Sequence, residues 1–192
     1  MKLIKKIAAI MFAFMMVFTL SSNVNAKTVS GDSTQTGTIT INNAKKDHTY
    51  KLYRILDLDS YSYDDTNGNK DGNYSYSIPE TDPENKWKNF ITQNEGADQY
   101  FTITKNKYVT FNEGKSVADL VKDAIEYAND SAHGIKAQKT ITANNDGPIT
   151  FNDLKLGYYL IDSSMGTLCV LDTTNKDATV NEKNDVPTVE KK

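Results

Sequence analysis

The stretch Asn67-Gly68-Asn69-Lys70-Asp71-Gly72 sets side-chain oxygens at alternate positions with a glycine at the sixth, as the opening of a calcium loop does. Asp65, Asn67, Asn69 and Asp71 are therefore weak calcium candidates, with Asp64 beside them. Counted from Asn67, however, the twelfth position is Ile78, where such a loop needs a bidentate glutamate. Asparagine at the first position also removes a charge. An Asn/Asp/Gly turn tip accounts for the same residues. The turn is the preferred reading, and no metal or other cofactor is expected.

Nucleophilic chemistry has less to stand on. Cys169 is the sole cysteine and lies between apolar neighbours in "TLCVLD", which predicts a small buried hydrophobe rather than a reactive thiol. With one cysteine, no internal disulfide can form. The two histidines, His48 and His133, fall at the start of a strand and after a helix. No G-x-S-x-G elbow, phosphate-cradling glycine loop or zinc-ligand cluster occurs. Acids are abundant, but no pair stands out as the two carboxylates of a sugar-cleaving cleft. The eleven tyrosines could line a carbohydrate-binding surface, although such residues more often fill cross-strand pairs. The chain is expected not to be an enzyme.

The elements that would carry these residues are mostly strands. "GTITI", 37–41, alternates with strand period, and "HTYKLYRILDL", 48–58, is rich in aromatic and β-branched residues. Residues 59–77 form a polar, tyrosine-studded excursion. "ETDPENKWKNFITQ" predicts a short helix with Asp82 as its cap, Pro83 at its first position, and Trp87, Phe90 and Ile91 on one face. "YFTITKNKYVTF", 100–111, predicts a hairpin. Ser116, with Asp119 three residues on, caps an amphipathic helix whose apolar face is Val117, Leu120, Val121, Ala124, Ile125 and Ala128. "KTITANNDGPITF", pivoting on Asp146-Gly147, then "GYYLIDSSMGTLCVLD" and "ATVNEKND" read as strands and turns. The pattern predicts a mainly β protein, a β-sandwich with a helical insertion.

At the N-terminus, Lys2, Lys5 and Lys6 precede an apolar run from Ile7 to Leu20 and the small-residue end Val24-Asn25-Ala26. This is the pattern of a secretory signal peptide over 1–26, too short for a membrane span of roughly 20 apolar residues. Removing its three lysines from 22 basic residues leaves 19 against 25 acidic ones, a net charge of −6. That balance argues against nucleic acid as a partner. Residues 27–36 are expected to be a flexible N-terminus, 37–186 one sandwich domain, and 187–192 the start of a linker or further domain, with Pro187 marking the boundary.

Four stretches in this order, "GTITINNAKKDHTYKLYRILD", "VADLVKDAIEYA", "FNDLKLGYYLIDSS" and "NEKNDVPTVEKK", resemble the N-terminal domain of Gram-positive sortase-assembled backbone pilins. The matches span nearly all of the chain after the leader. The resemblance implies an Ig-like sandwich of the collagen-adhesin B type. It implies a secreted structural subunit of a covalent pilus on the cell wall, with neighbouring pilin subunits and sortase as partners. It makes Thr188–Lys192 the first strand of a following domain, so the chain is expected to be an N-terminal fragment.

Two site expectations come with it. The family's internal Lys–Asn isopeptide is assisted by an acid, for which Asp162 stands in place, with Asn184 near the end of the last strand. The lysine belongs at the end of the first strand, where Asn42 and Asn43 stand instead, and Lys45 and Lys46 come two or three residues late. No isopeptide bond is therefore expected. The sortase acceptor often lies in an aromatic-Pro-Lys motif, and no Pro-Lys pair occurs here, which leaves Lys183, Lys191 and Lys192 as candidates. Lys191 or Lys192 could instead serve a following domain. The competing readings are a surface adhesin domain that binds host protein or glycan and, further off, a secreted hydrolase.

Overall fold

The computed structural model describes residues 27–30, 35–63, 73–79, 86–92, 100–104, 108–163, 166–171 and 175–181. Eleven strands and two helices are drawn from them, and they build a mainly β fold with two sheets, consistent with a β-sandwich. The strands are β1 (Lys27–Ser30), β2 (Thr36–Ala44), β3 (Thr49–Tyr63), β4 (Asn73–Ser77), β5 (Phe101–Thr104), β6 (Tyr108–Phe111), β7 (Lys139–Thr142), β8 (Gly147–Lys155), β9 (Gly157–Asp162), β10 (Thr167–Leu171) and β11 (Asp177–Val180). The helices are α1 (Lys86–Thr92) and α2 (Val117–Asn129). Neither is long and apolar enough to cross a membrane.

The larger sheet runs β10-β9-β3-β4-β6-β5, and β1 and β7 also pair with β3. β3 is its spine. At 15 residues it spans about 50 Å at roughly 3.3 Å per residue, enough to pair with four strands along its two edges. Two sequence boundaries move for this reason. The strand expected over 48–58 continues through Tyr63 and returns as β4, so both arms of the polar excursion are strand. The segment expected to be a flexible N-terminus forms β1 over Lys27–Ser30 and begins β2 at Thr36. β1 pairs with Ser60–Tyr63, beyond the last β3 residue that β9 reaches, and so satisfies backbone groups that would otherwise lack partners on that edge.

The smaller sheet is β11-β2-β8. β2 and β8 are antiparallel, whereas β11 runs parallel to β2. Although β7 and β8 are separated by only four residues, they lie in different sheets. The Asp146-Gly147 pivot is thus a corner between layers.

Each face of the larger sheet buries a different core. Tyr159 and Ile161 of β9 join Ile39, Ile41, Phe151, Leu154 and Leu171 between the sheets. Leu160 joins Trp87, Phe90, Ile91, Leu120, Val121 and Ala124 on the opposite face, with Tyr158 packed alongside. A strand buried on both faces shows no polar alternation, which is why "GYYLI" is apolar throughout. β3 alternates likewise until Arg54, where the register against β9 shifts. Ile55 and Leu56 then both fall in the helix-side core, as one extra residue in a strand flips the faces beyond it. Gly157 permits the tight approach there, since a Cβ on it would lie 2.1 Å from the Leu56 carbonyl oxygen.

α2 begins as its sequence requires. The Ser116 Oγ accepts the Asp119 N–H at 3.2 Å, and Leu120, Val121, Ala124 and Ala128 are buried. Val117 and Ile125 pack at the rim of the same core. α1 buries Trp87, Phe90 and Ile91, as expected. Asp82 and Pro83 lie outside the described residues.

Candidate functional site

The first strand of the smaller sheet carries Asn42 and Asn43, which stand where the lysine of a covalent staple would belong. The pairing of Thr40 with Thr179 and of Ile41 with Val180 brings Asn42 opposite Asn181. The Asn42 Nδ2 donates to Asn181 Oδ1 at 2.9 Å. Two carboxamides meet where a staple would need an amine and a carboxamide. Without an amine there is no nucleophile, and the contact is a hydrogen bond. Lys45 and Lys46 belong to a different corner: Lys45 Nζ lies 3.5 Å from Asp146 Oδ2, and the Lys46 backbone N–H donates to Asp146 Oδ1 at 2.8 Å. That backbone bond, aided by the Lys45 charge, holds the Asp146 carboxyl below the usual range. Sequence reasoning had set the asparagine at 184, which lies outside the described residues. Asn181 was missed because a strand's pattern does not disclose its register against a partner 139 residues away.

Asp162 is found elsewhere, at the end of β9 opposite Lys51. Lys51 Nζ lies 3.5 Å from Asp162 Oδ2 and donates to Asn129 Oδ1 at 3.3 Å, while Asn129 Nδ2 donates to the same Asp162 oxygen at 3.4 Å. A lysine, an asparagine and an aspartate therefore converge at the C-terminal end of α2. Sequence reasoning named only the aspartate. Lys51 and Asn129 carried no motif, and only the docking of α2 on the sheet brings them together. The Lys51 side chain is 41% exposed and that of Asp162 18%, so water competes for each bond. This is a surface ion pair bridged by an amide, a class worth about 0–1 kcal/mol. It ties the helix end to β3 and β9.

Two groups with chemical potential, Cys169 and Tyr159, are suppressed by burial. Cys169 is buried, and burial pushes its thiol up to about 12, so almost no thiolate forms near neutrality. Beside it in the sheet, the Tyr159 hydroxyl donates to the Lys155 carbonyl at 2.6 Å, and burial raises its pKa strongly. Arg54 Nε meets Asp57 Oδ1 at 3.0 Å on the neighbouring strand. His48 is exposed, one residue before β3. His133 stacks on Tyr127 with ring centroids 3.7 Å apart, and its Nδ1 lies 3.1 Å from the Tyr127 carbonyl oxygen. No cluster of three or more His, Cys, Asp or Glu able to hold a metal occurs among the described residues.

The calcium candidates Asp65, Asn67, Asn69 and Asp71, with Asp64, lie outside the described residues, as do the acceptor candidates Lys183, Lys191 and Lys192. Ile78, at the twelfth position of the considered calcium loop, is buried in the helix-side core at 6% exposure. A glutamate's charge would have no place there.

No protein-family model matches the chain, and no curated protein matches it at a significant level.

Proposed function

We propose that the chain is a secreted structural subunit, pilin-like, of a covalently assembled fibre on the surface of a Gram-positive bacterium, built on an Ig-like sandwich of the collagen-adhesin B type. The observation that carries the reading is the parallel pairing of β2 with β11. It brings the first and last strands of the smaller sheet side by side with the start of β2 and the end of β11 at opposite ends of the ladder, which suits a unit joined in series. On this reading residues 1–26 are a leader removed on export, the fold bears load, and a lysine near the C-terminal joint (Lys183, Lys191 or Lys192) accepts the next subunit from a sortase.

The test is mass spectrometry of fibres assembled from the complete gene product. A branched peptide through one of those three lysines supports the assignment. A cross-link found only at a distant lysine, such as Lys136, refutes the acceptor. Monomeric secretion with specific binding to a matrix protein or glycan would replace the subunit reading with that of an adhesin.

A further inference from the structure

We propose that the β2–β11 pair is a non-covalent mechanical clamp, which resists tension applied between the two ends of the chain far better than tension applied across the same strands from one side. The inference rests on the structural-subunit reading for its biological use but not for its physics. In a parallel pair the start of β2 and the end of β11 lie at opposite ends of the ladder. Pulling on the chain ends slides the strands past each other and loads every cross-strand bond at once. Pulling both strands from the same end opens the bonds one after another.

The ladder is fastened at both ends by side chains. At its start the Thr38 N–H donates to the Lys176 carbonyl at 2.9 Å, and the Thr38 Oγ1 donates to Asp177 Oδ1 at 2.8 Å. At its end stands the Asn42–Asn181 bond. Gly37 lets the strands close tightly, since a Cβ there would lie 2.1 Å from the Lys176 carbonyl oxygen. Between the fastenings, Ile39, Ile41 and Ala178 are buried in the core between the sheets, so sliding must also drag apolar side chains through a packed interior. On its other edge β2 is anchored to β8, where the Thr40 and Thr150 hydroxyls meet at 3.0 Å. β1 pairs only through its four residues with β3, so it yields first and passes the load to β2.

Single-molecule force spectroscopy on the secreted chain tests this in two geometries. One tethers the two chain ends. The other tethers the C-terminal end and a thiol introduced by Lys46→Cys, an exposed position in the turn after β2, with Cys169 buried and unable to compete. Forced rupture reports the unfolding barrier along the pulled direction. A several-fold higher rupture force for the end-to-end tether is expected, and equal forces in the two geometries overturn the proposal. Thr38→Val, at the far end of the ladder, should lower the end-to-end force and leave the other unchanged, whereas Asn42→Ala, at the end where the second geometry opens the ladder, should lower both. The unmutated ladder alone decides the matter if either variant fails to fold. The measurement needs no fibre: a strong clamp in a chain that never polymerises would sink the subunit reading alone, and fibres built from a domain with equal forces would sink the clamp alone.

Discussion

The two faces of the larger sheet are covered differently, one by a second sheet and the other by helices, and they differ in their share of rings. Between the sheets the filling is mostly aliphatic, Ile39, Ile41, Leu52, Leu154, Ile161 and Leu171, with few rings. On the other face rings are more frequent and meet one another: Tyr53, Tyr76, Trp87, Phe90 and Tyr100, with Tyr127 alongside, stand among ten buried aliphatic residues. Two sheets pack at a near-constant spacing that interdigitated aliphatic chains fill well. Short helices laid on a twisted sheet leave uneven gaps. Rings turned edge to face fill them, as Tyr53 on Trp87 at 6.0 Å and Trp87 on Phe90 at 5.5 Å do. The same two strands, β3 and β9, serve both cores through different residues, so neither core can be disturbed without straining the sheet they share.

The sharpest way to break this comparison is to make a hole in each core. Phe151→Ala between the sheets should cost about 3–5 kcal/mol, through lost transfer energy and a cavity. It should lower protection from hydrogen exchange throughout. Leu120→Ala on the helix side should cost about 2–5 kcal/mol by denaturant unfolding. If the faces are one cooperative unit, its exchange pattern will match that of Phe151→Ala. Fast exchange limited to α1 and α2 would show that the helical layer opens by itself, and a change within about 0.5 kcal/mol would mean that α2 is not docked.

Smaller changes sharpen the picture on the helix side. Ser116→Ala removes the cap of α2 and should cost about 1 kcal/mol, with Ser116→Asp restoring most of it. Tyr100→Phe removes the bond to Asp123, 2.8 Å long, and should cost roughly 0.5–1.5 kcal/mol near neutrality. Burial, and after it that bond, holds the Tyr100 hydroxyl up at about 12 against its ordinary 10.0. The folded state keeps a proton that the unfolded chain gives up first. The contribution is therefore full below pH 10 and is lost as pH rises through about 12. Stability measured over that window should fall less steeply in Tyr100→Phe than in the parent, and parallel slopes would mean that this hydroxyl does not drive the loss.

The smallest expected effect is none. With two carboxamides at the end of the β2–β11 pair, and with Lys51, Asn129 and Asp162 as an exposed ion-pair network, the intact mass of the secreted chain should equal its sequence mass. Loss of one ammonia would mean that a lysine and an asparagine have joined, and peptide mapping would start at Lys51 and Asn129.

Local pattern by itself determined much of this protein. The Ser116 cap and the 3.6-residue spacing of Leu120, Val121, Ala124 and Ala128 define α2, because both are satisfied within a few turns of chain. The apolar run of β9 announced a strand, though not that both of its faces would be covered. The burial of Cys169 followed from its neighbours. Which strands touch was decided only by the tertiary structure. β7 and β8 are near neighbours in sequence yet part into separate sheets, whereas β2 and β11 lie at far ends of the described chain and pair in parallel. A strand's backbone donors and acceptors are the same whatever its sequence, so its partner and register are chosen by which faces can share a core. That choice set Asn42 against Asn181 and carried Asp162 away to Lys51 and Asn129.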